Sequence, residues 1–202
     1  MTVSSKREDR RIQRTRQLLK QASIEVMQEK GFPATSIQEI AARANVNRGT
    51  FYDHFADKYA LVEALIRDEF HHLIGAFPPA SRWDSCVLHR LIRLILENFR
   101  DVQRRCHPLG EIDPLTSRVI QEELALLLLS WLKEKRVKGA RDVIPLQTAA
   151  GTMSWAILGA ALQWSLEPDS MPAERIAHDI VRLLLQGAGH LIGEDAPDEH
   201  KY

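Results

Sequence analysis

The stretch TSIQEIAARANVNRGTFYDHFADK, residues 35–58, decides the fold of this chain. Ser36 and Glu39 have the spacing of a capping box, in which the serine oxygen accepts from the third helical amide and the glutamate reaches back. Asn45 can take the left-handed conformation of a tight turn, and Asn47 can cap a second short helix. The stretch therefore predicts two short helices joined by a tight turn, which is a helix-turn-helix.

The second of these helices has an apolar side and a polar side. Phe51 and Phe55 lie four positions apart, so they can pack inward together with Leu61 of the next helix. The other side carries Arg48, whose guanidinium matches guanine, and Tyr52, which offers a hydroxyl. The second helix of such a unit fits the major groove of DNA. Two short helices joined by a turn also occur in proteins that bind no DNA, so the spacing alone leaves that function open.

The rest of the chain is helical in pattern and shows no sustained strand alternation. Leu18, Ala22 and Val26 recur at helical spacing and predict a helix over about residues 7–30, which Gly31 would end. Asp57 would cap a longer helix. Further helices are predicted over residues 83–105, 116–137, 145–166 and 172–192. The predicted fold class is all-α.

Charge and cysteine content restrict the class of protein. The formal net charge is zero, but residues 1–20 hold seven basic and two acidic residues, a net +5. Such a basic end is either a solvated tail or a surface for a polyanion. Cys86 and Cys106 are far apart and form no CxxC, which favours a reducing cytosol over a disulfide scaffold or a zinc site. No apolar run is long enough for a membrane span, so we expect a cytoplasmic protein.

Residues 31–61, from Gly31-Phe32-x-x-Thr35 to Lys58-x-x-Leu61, closely resemble the TetR/AcrR family of bacterial regulators. The resemblance implies an all-helical homodimer on a palindromic operator. It implies a helix-turn-helix DNA-binding domain over residues 1–56, a helical effector-binding and dimerisation domain over 57–193, and a polar tail over 194–202. Asn45 departs from the family, which usually has glycine in this turn.

The resemblance also assigns roles to single residues. Gln38 and Arg48 would read bases, and Tyr52, His54 and Lys58 would contact the backbone or the groove. The complete predicted DNA-binding set is Thr35, Ser36, Gln38, Asn47, Arg48, Gly49, Thr50, Tyr52, His54 and Lys58.

The body of the protein carries two further predictions. Small residues among large apolar ones over 145–166, and regular apolar spacing over 172–192, indicate either core helices or, as the resemblance implies, the homodimer interface. An effector pocket for a small hydrophobic or aromatic ligand would be lined by His71, Phe99, His107, Glu122, Trp131 and Trp155. We predict no metal and no cofactor.

The function predicted from these features is that of a transcriptional repressor released from its operator by an effector. An enzyme on a helical scaffold is disfavoured, because the sequence has no nucleophile elbow, phosphate loop or HExxH motif. An architectural or protein-interacting DNA binder without an effector remains an alternative.

Overall fold

A computed structural model describes residues 3–75, 77–79, 83–105, 113–135, 144–167 and 171–187. These residues form α-helices and no strand, which confirms the all-α fold class. The helices are α1 (Val3–Ala34), α2 (Ile37–Arg43), α3 (Arg48–Tyr52), α4 (Lys58–Ile74), α5 (Ser85–Arg105), α6 (Asp113–Lys135), α7 (Leu146–Leu166) and α8 (Ala173–Gln186). None of the helices in the described ranges has the length and apolar character needed to cross a membrane.

The chain divides into two compact units. The first contains α1 to α4 up to residue 73, together with residues 113–120 at the start of α6. Its core includes Leu19, Ile40, Phe51 and Leu61, all almost completely buried, with Phe55 at 4% exposure. The predicted inward packing of the two phenylalanines is confirmed.

Local hydrogen bonds set the helix starts in this unit. The Ser36 side chain accepts from the Glu39 amide, and the Glu39 carboxylate accepts from the Ser36 amide, so the predicted capping box is confirmed. Asn45 has a φ of 54°, the left-handed value expected of the turn. Asn47 Oδ1 accepts from the Gly49 amide at 2.8 Å and begins α3. Gly31 interrupts α1 with a φ of 79°, and one more helical turn follows it.

The structure divides the chain later than the sequence predicts. The predicted boundary follows residue 56, whereas the first unit extends to residue 73. The reason is that Leu61 and Val62 of α4 are buried in the core of the first unit. Residues 188–192 of the predicted last helix and the predicted tail, 194–202, lie outside the described residues.

The second unit contains α5, the rest of α6, α7 and α8. Helix α5 packs against α7 and α8 through an apolar face that includes Leu88, Ile92 and Leu96. Trp83 is buried with its ring 6.4 Å from that of Trp131. This unit therefore has a core of its own.

Candidate nucleic-acid interface

Helix α3 presents a paired arginine and tyrosine to solvent. Arg48 Nη2 donates to Tyr52 Oη at 3.0 Å, and the guanidinium carbon lies 5.5 Å from the centre of the tyrosine ring. Both side chains are exposed, Tyr52 by 46%. Phe51, between them in sequence, is completely buried and fixes the helix to the core. The arginine fork is thus held on a rigid helix face that is open to a ligand.

Helix α2 lies before the turn and presents Gln38, which is exposed. Its first turn is fastened to α1, because Glu39 forms an ion pair with Lys30. That ion pair and the Ser36 hydroxyl lower the pKa of Glu39 from 4.5 to about 2. The charged carboxylate is therefore the form that completes the cap of α2.

The end of α2 is fastened to α1 as well. Arg43 donates to Glu29 at 2.9 Å and to Glu25 at 3.4 Å. The hydrogen bond from Arg43 lowers the pKa of Glu29, and the same contacts raise the pKa of Arg43. These exposed pairs individually stabilise the fold little, but together they restrict how α2 can turn on α1.

Thr35, which the sequence predicts to contact DNA, is buried at the end of α1. Its side chain is 3% exposed, and its hydroxyl donates to the carbonyl oxygen of Gly31 at 2.8 Å. Its amide donates to the carbonyl oxygen of Phe32 at 3.1 Å. The residue closes the end of α1, and both of its donors are used inside the fold.

Lys58, which the sequence predicts to contact a phosphate, binds carbonyl oxygens of the fold. Its ammonium donates to the carbonyl oxygens of Phe32 at 3.1 Å, Pro33 at 3.2 Å and Thr35 at 3.1 Å. It also lies 4.5 Å from the centre of the Phe32 ring. A lysine has three donors, and here all three bind the end of α1. In this arrangement Lys58 joins α4 to the end of α1.

Arg16 is a residue that sequence reasoning missed. Its Nη1 donates to the carbonyl oxygen of His54 at 3.0 Å, and its guanidinium carbon lies 4.5 Å from the centre of the Phe55 ring. It thereby connects α1 to the segment that follows α3, next to the half-buried side chain of His54. The partners are 38 positions apart in sequence, so no local pattern indicates the contact.

The residues predicted to line an effector pocket have dissimilar surroundings. Trp131 is buried against Trp83 and donates to its carbonyl oxygen, and Phe99 is also buried. Trp155 is 56% exposed on α7, and His71 is exposed on α4. Glu122 is half-buried, and His107 lies outside the described residues. These surroundings do not support the predicted set as one pocket. The described residues contain no group of three or more His, Cys, Asp or Glu side chains placed to hold a metal ion.

Comparison with known sequences places the helix-turn-helix in a family. The family model described as "Bacterial regulatory proteins, tetR family" matches residues 19–65, which cover α2, α3 and most of the core around them. Residues 19–65 belong to the TetR family. The match coincides with the residues that carry the caps, the turn and the Arg48–Tyr52 pair.

Curated relatives of this chain are named as transcriptional regulators. YxbF of Bacillus subtilis is 36% identical over 74 residues, 36% of this chain and 20% of YxbF. YvdT of the same organism is 34% identical over 120 residues, 56% of this chain and 61% of YvdT. AcrR of Shigella flexneri is 28% identical over 195 residues, 86% of this chain and 89% of AcrR. The chain thus matches less than two thirds of the length of YxbF and YvdT.

Solved structures show the same fold over nearly all of the chain. A TetR regulator from Streptococcus agalactiae has a TM-score of 0.57 at 22% identity, over 89% of this chain and 98% of its own. The repressor FadR from Thermus thermophilus, solved in complex with lauroyl-CoA, has a TM-score of 0.53 at 23% identity, over 92% of this chain and 100% of its own.

Proposed function

We propose that this TetR-family protein is a sequence-specific DNA-binding transcriptional regulator whose helix α3 reads the major groove. The observation that carries the proposal is the exposed Arg48–Tyr52 pair on a helix anchored by the buried Phe51. An arginine guanidinium on a fixed helix can donate to both O6 and N7 of guanine. Because the pairing with Tyr52 already orders the Arg48 side chain, less conformational entropy is lost on binding. The names of the relatives and the TetR-family match support this reading.

The proposed contacts follow from exposure. Gln38 and Arg48 would read base edges, and Thr50 and Tyr52 would contact the groove and the phosphates. Capping residues and those at the end of α3 would position the backbone. The proposed set is Ser36, Gln38, Asn47, Arg48, Gly49, Thr50, Tyr52 and His54. Thr35 and Lys58 are excluded because their donors bind the end of α1.

The active form would be a homodimer formed by α7 and α8. Trp155 is 56% exposed on α7, and a Cβ added at Gly151 or Gly159 would meet no atom within 4 Å. On α8 and just before it, Leu183 and Met171 are exposed by 45% and 53%. The two open glycines allow a second helix to approach closely, and the exposed Trp155 between them offers apolar surface for it to bury. A two-fold dimer would read a palindromic operator.

Regulation would follow the repressor pattern, with release from the operator by a small hydrophobic or aromatic effector bound in the second unit. FadR, which shares the fold and was solved with lauroyl-CoA, supports an effector with a hydrophobic part. We place the protein in the cytoplasm, where the operator is. A DNA-binding regulator without an effector is the alternative, and a ligand screen separates the two.

The test is binding of the purified full-length protein to palindromic duplexes from its own upstream region, followed by fluorescence anisotropy. Wild-type protein should bind one palindrome with an affinity at least a thousandfold above that for random duplex, which is about the lower limit of specific regulators. Arg48→Ala should lose most of that ratio. Equal binding of all duplexes by wild-type protein would refute specific regulation. An effector screen that never alters the affinity would favour the alternative.

A further inference from the structure

Helix α1 extends well beyond the core that it helps to form. It begins at Val3, and Leu19 is the first apolar residue along it that is buried among the side chains described from Arg10 onward. Sixteen residues of helix correspond to about 24 Å, so more than four turns precede the core. This length is not needed to bury Phe51 or to hold α2.

Charges on these turns are separated by helix face. At about 100° per residue, five basic positions fall within an arc of about 140°. The two acidic positions, Glu8 and Asp9, fall outside that arc. We call the five the basic stripe, which consists of Lys6, Arg7, Arg10, Arg11 and Arg14. The segregation accounts for the charge of the N-terminal end better than a randomly solvated tail does.

The basic residues of α1 fall into two groups. Arg16 and Lys20 turn toward the fold, the first binding the His54 carbonyl oxygen and the second forming an ion pair with Asp68. Arg10, Arg11 and Arg14 are exposed and take part in none of the ion pairs found among the described residues. These three arginines present exposed cations on the surface of α1.

The stripe begins near the level along α1 at which α1 contacts the segment after α3. Arg14 is two positions before Arg16, about 3 Å along the axis and near the opposite face of α1. Arg16 contacts His54 and Phe55 directly after α3. From there the stripe continues along α1 to Lys6, about 12 Å further along the axis. A duplex has one negative charge per about 1.7 Å of axis, so a row of cations of this length can face several phosphates.

We propose that the basic stripe is a second DNA-binding surface, which binds phosphates of the duplex flanking the base pairs read by α3. The inference rests on the proposed function, because the duplex must first be held by α3. The stripe would carry no base specificity, since arginines on phosphates fix position and add affinity. Duplex DNA is proposed rather than an acidic protein or a membrane because the stripe starts at the level of α1 that contacts the segment directly after α3.

The experiment compares two variants of the full-length protein that remove the same charge. Arg10→Gln with Arg14→Gln alters the stripe, and Lys133→Gln with Lys135→Gln alters exposed lysines of α6 in the second unit. Each is titrated, at a series of salt concentrations, against a duplex selected by wild-type protein from random DNA. A long duplex keeps about ten flanking base pairs on each side, and a short one ends at the selected palindrome.

On the long duplex the slope of log K against log salt should become shallower by about 3.6 for the stripe variant, because the proposed dimer loses two cations in each protomer and each phosphate that is no longer neutralised reduces the slope by about 0.9. The lysine variant should keep the wild-type slope. On the short duplex the stripe variant and wild-type protein should bind alike, which separates binding to the flanks from a damaged fold.

Three results would overturn the inference. The first is an unchanged slope for the stripe variant on the long duplex. The second is an equal loss on both duplexes. The third is that wild-type protein binds phosphatidylglycerol vesicles and the stripe variant does not, while the DNA slope of the variant stays unchanged. That result would assign the stripe to a membrane. If wild-type protein selects no duplex at all, the proposed function itself fails, and this outcome differs from all three.

Discussion

Replacing Lys58 with methionine should lower the stability of the N-terminal unit and leave the salt dependence of DNA binding unchanged. The ammonium donates to the carbonyl oxygens of Phe32, Pro33 and Thr35 at 3.1–3.2 Å, where the chain leaves α1. Methionine keeps an unbranched side chain of similar length but removes the charge and all three donors. The free energy of unfolding and the salt dependence of DNA binding therefore distinguish a stabilising contact inside the fold from a contact with DNA.

The size of the effect follows from those hydrogen bonds. A hydrogen bond to a charged group contributes about 1.5–3 kcal/mol, and the three here share one half-buried ammonium, so their effects do not add fully. The contact with the Phe32 ring at 4.5 Å adds about 0.5–1 kcal/mol. The hydrogen bond to the Pro33 carbonyl oxygen is exposed, so water can replace it and its loss costs less. We expect a loss of about 2–4 kcal/mol in the free energy of unfolding.

Urea unfolding followed by far-UV circular dichroism measures this loss, at one protein concentration because dimerisation would shift the midpoint. Lys133→Met, at an exposed lysine of α6, is the control and should stay within about 0.5 kcal/mol of wild type. The salt slope of DNA binding should be the same for Lys58→Met and wild type. A variant as stable as wild type, with a slope shallower by about 1.8 because the proposed dimer carries two copies of Lys58, would place the ammonium on a phosphate and refute this reasoning.

Three further predictions test the interface, the cap and the dimer. Arg48→Ala should cost about 1–3 kcal/mol of binding free energy at one operator position. Tyr52→Phe, which removes the hydroxyl that accepts from Arg48, should cost about 0.5–1.5 kcal/mol at the same position. Anisotropy on single-base operator variants measures both, and losses spread evenly over all positions would remove Arg48 as a base reader. Glu39→Gln should lower the melting temperature at neutral pH. Because folding lowers the pKa of Glu39 from 4.5 to about 2, the difference should be complete above pH 4.5 and vanish as the pH falls to about 2; a difference that persists at pH 2 would contradict the role of the charge. Trp155→Asp should give monomers in sedimentation velocity, and an unchanged dimer would place the interface elsewhere.

The sequence alone determined the local architecture of the helix-turn-helix. The capping box at Ser36 and Glu39, the left-handed Asn45 and the cap at Asn47 all depend on hydrogen bonds or backbone preferences within three residues. Such interactions follow directly from sequence spacing, so they can be predicted without knowing how the helices pack. The buried faces of α3 and α4 could be predicted for the same reason, since apolar periodicity is local.

The tertiary structure alone decided what the polar residues between helices do. Lys58 and Thr35 fit the family pattern for DNA contacts, yet one binds carbonyl groups 23 to 26 positions away and the other is buried. The contact of Arg16 with His54 spans 38 positions, and the assignment of α4 to the first unit depends on which core buries Leu61. These outcomes depend on the angles at which helices meet. A donor binds whichever acceptor the packing brings within about 3 Å, and no residue spacing specifies that partner.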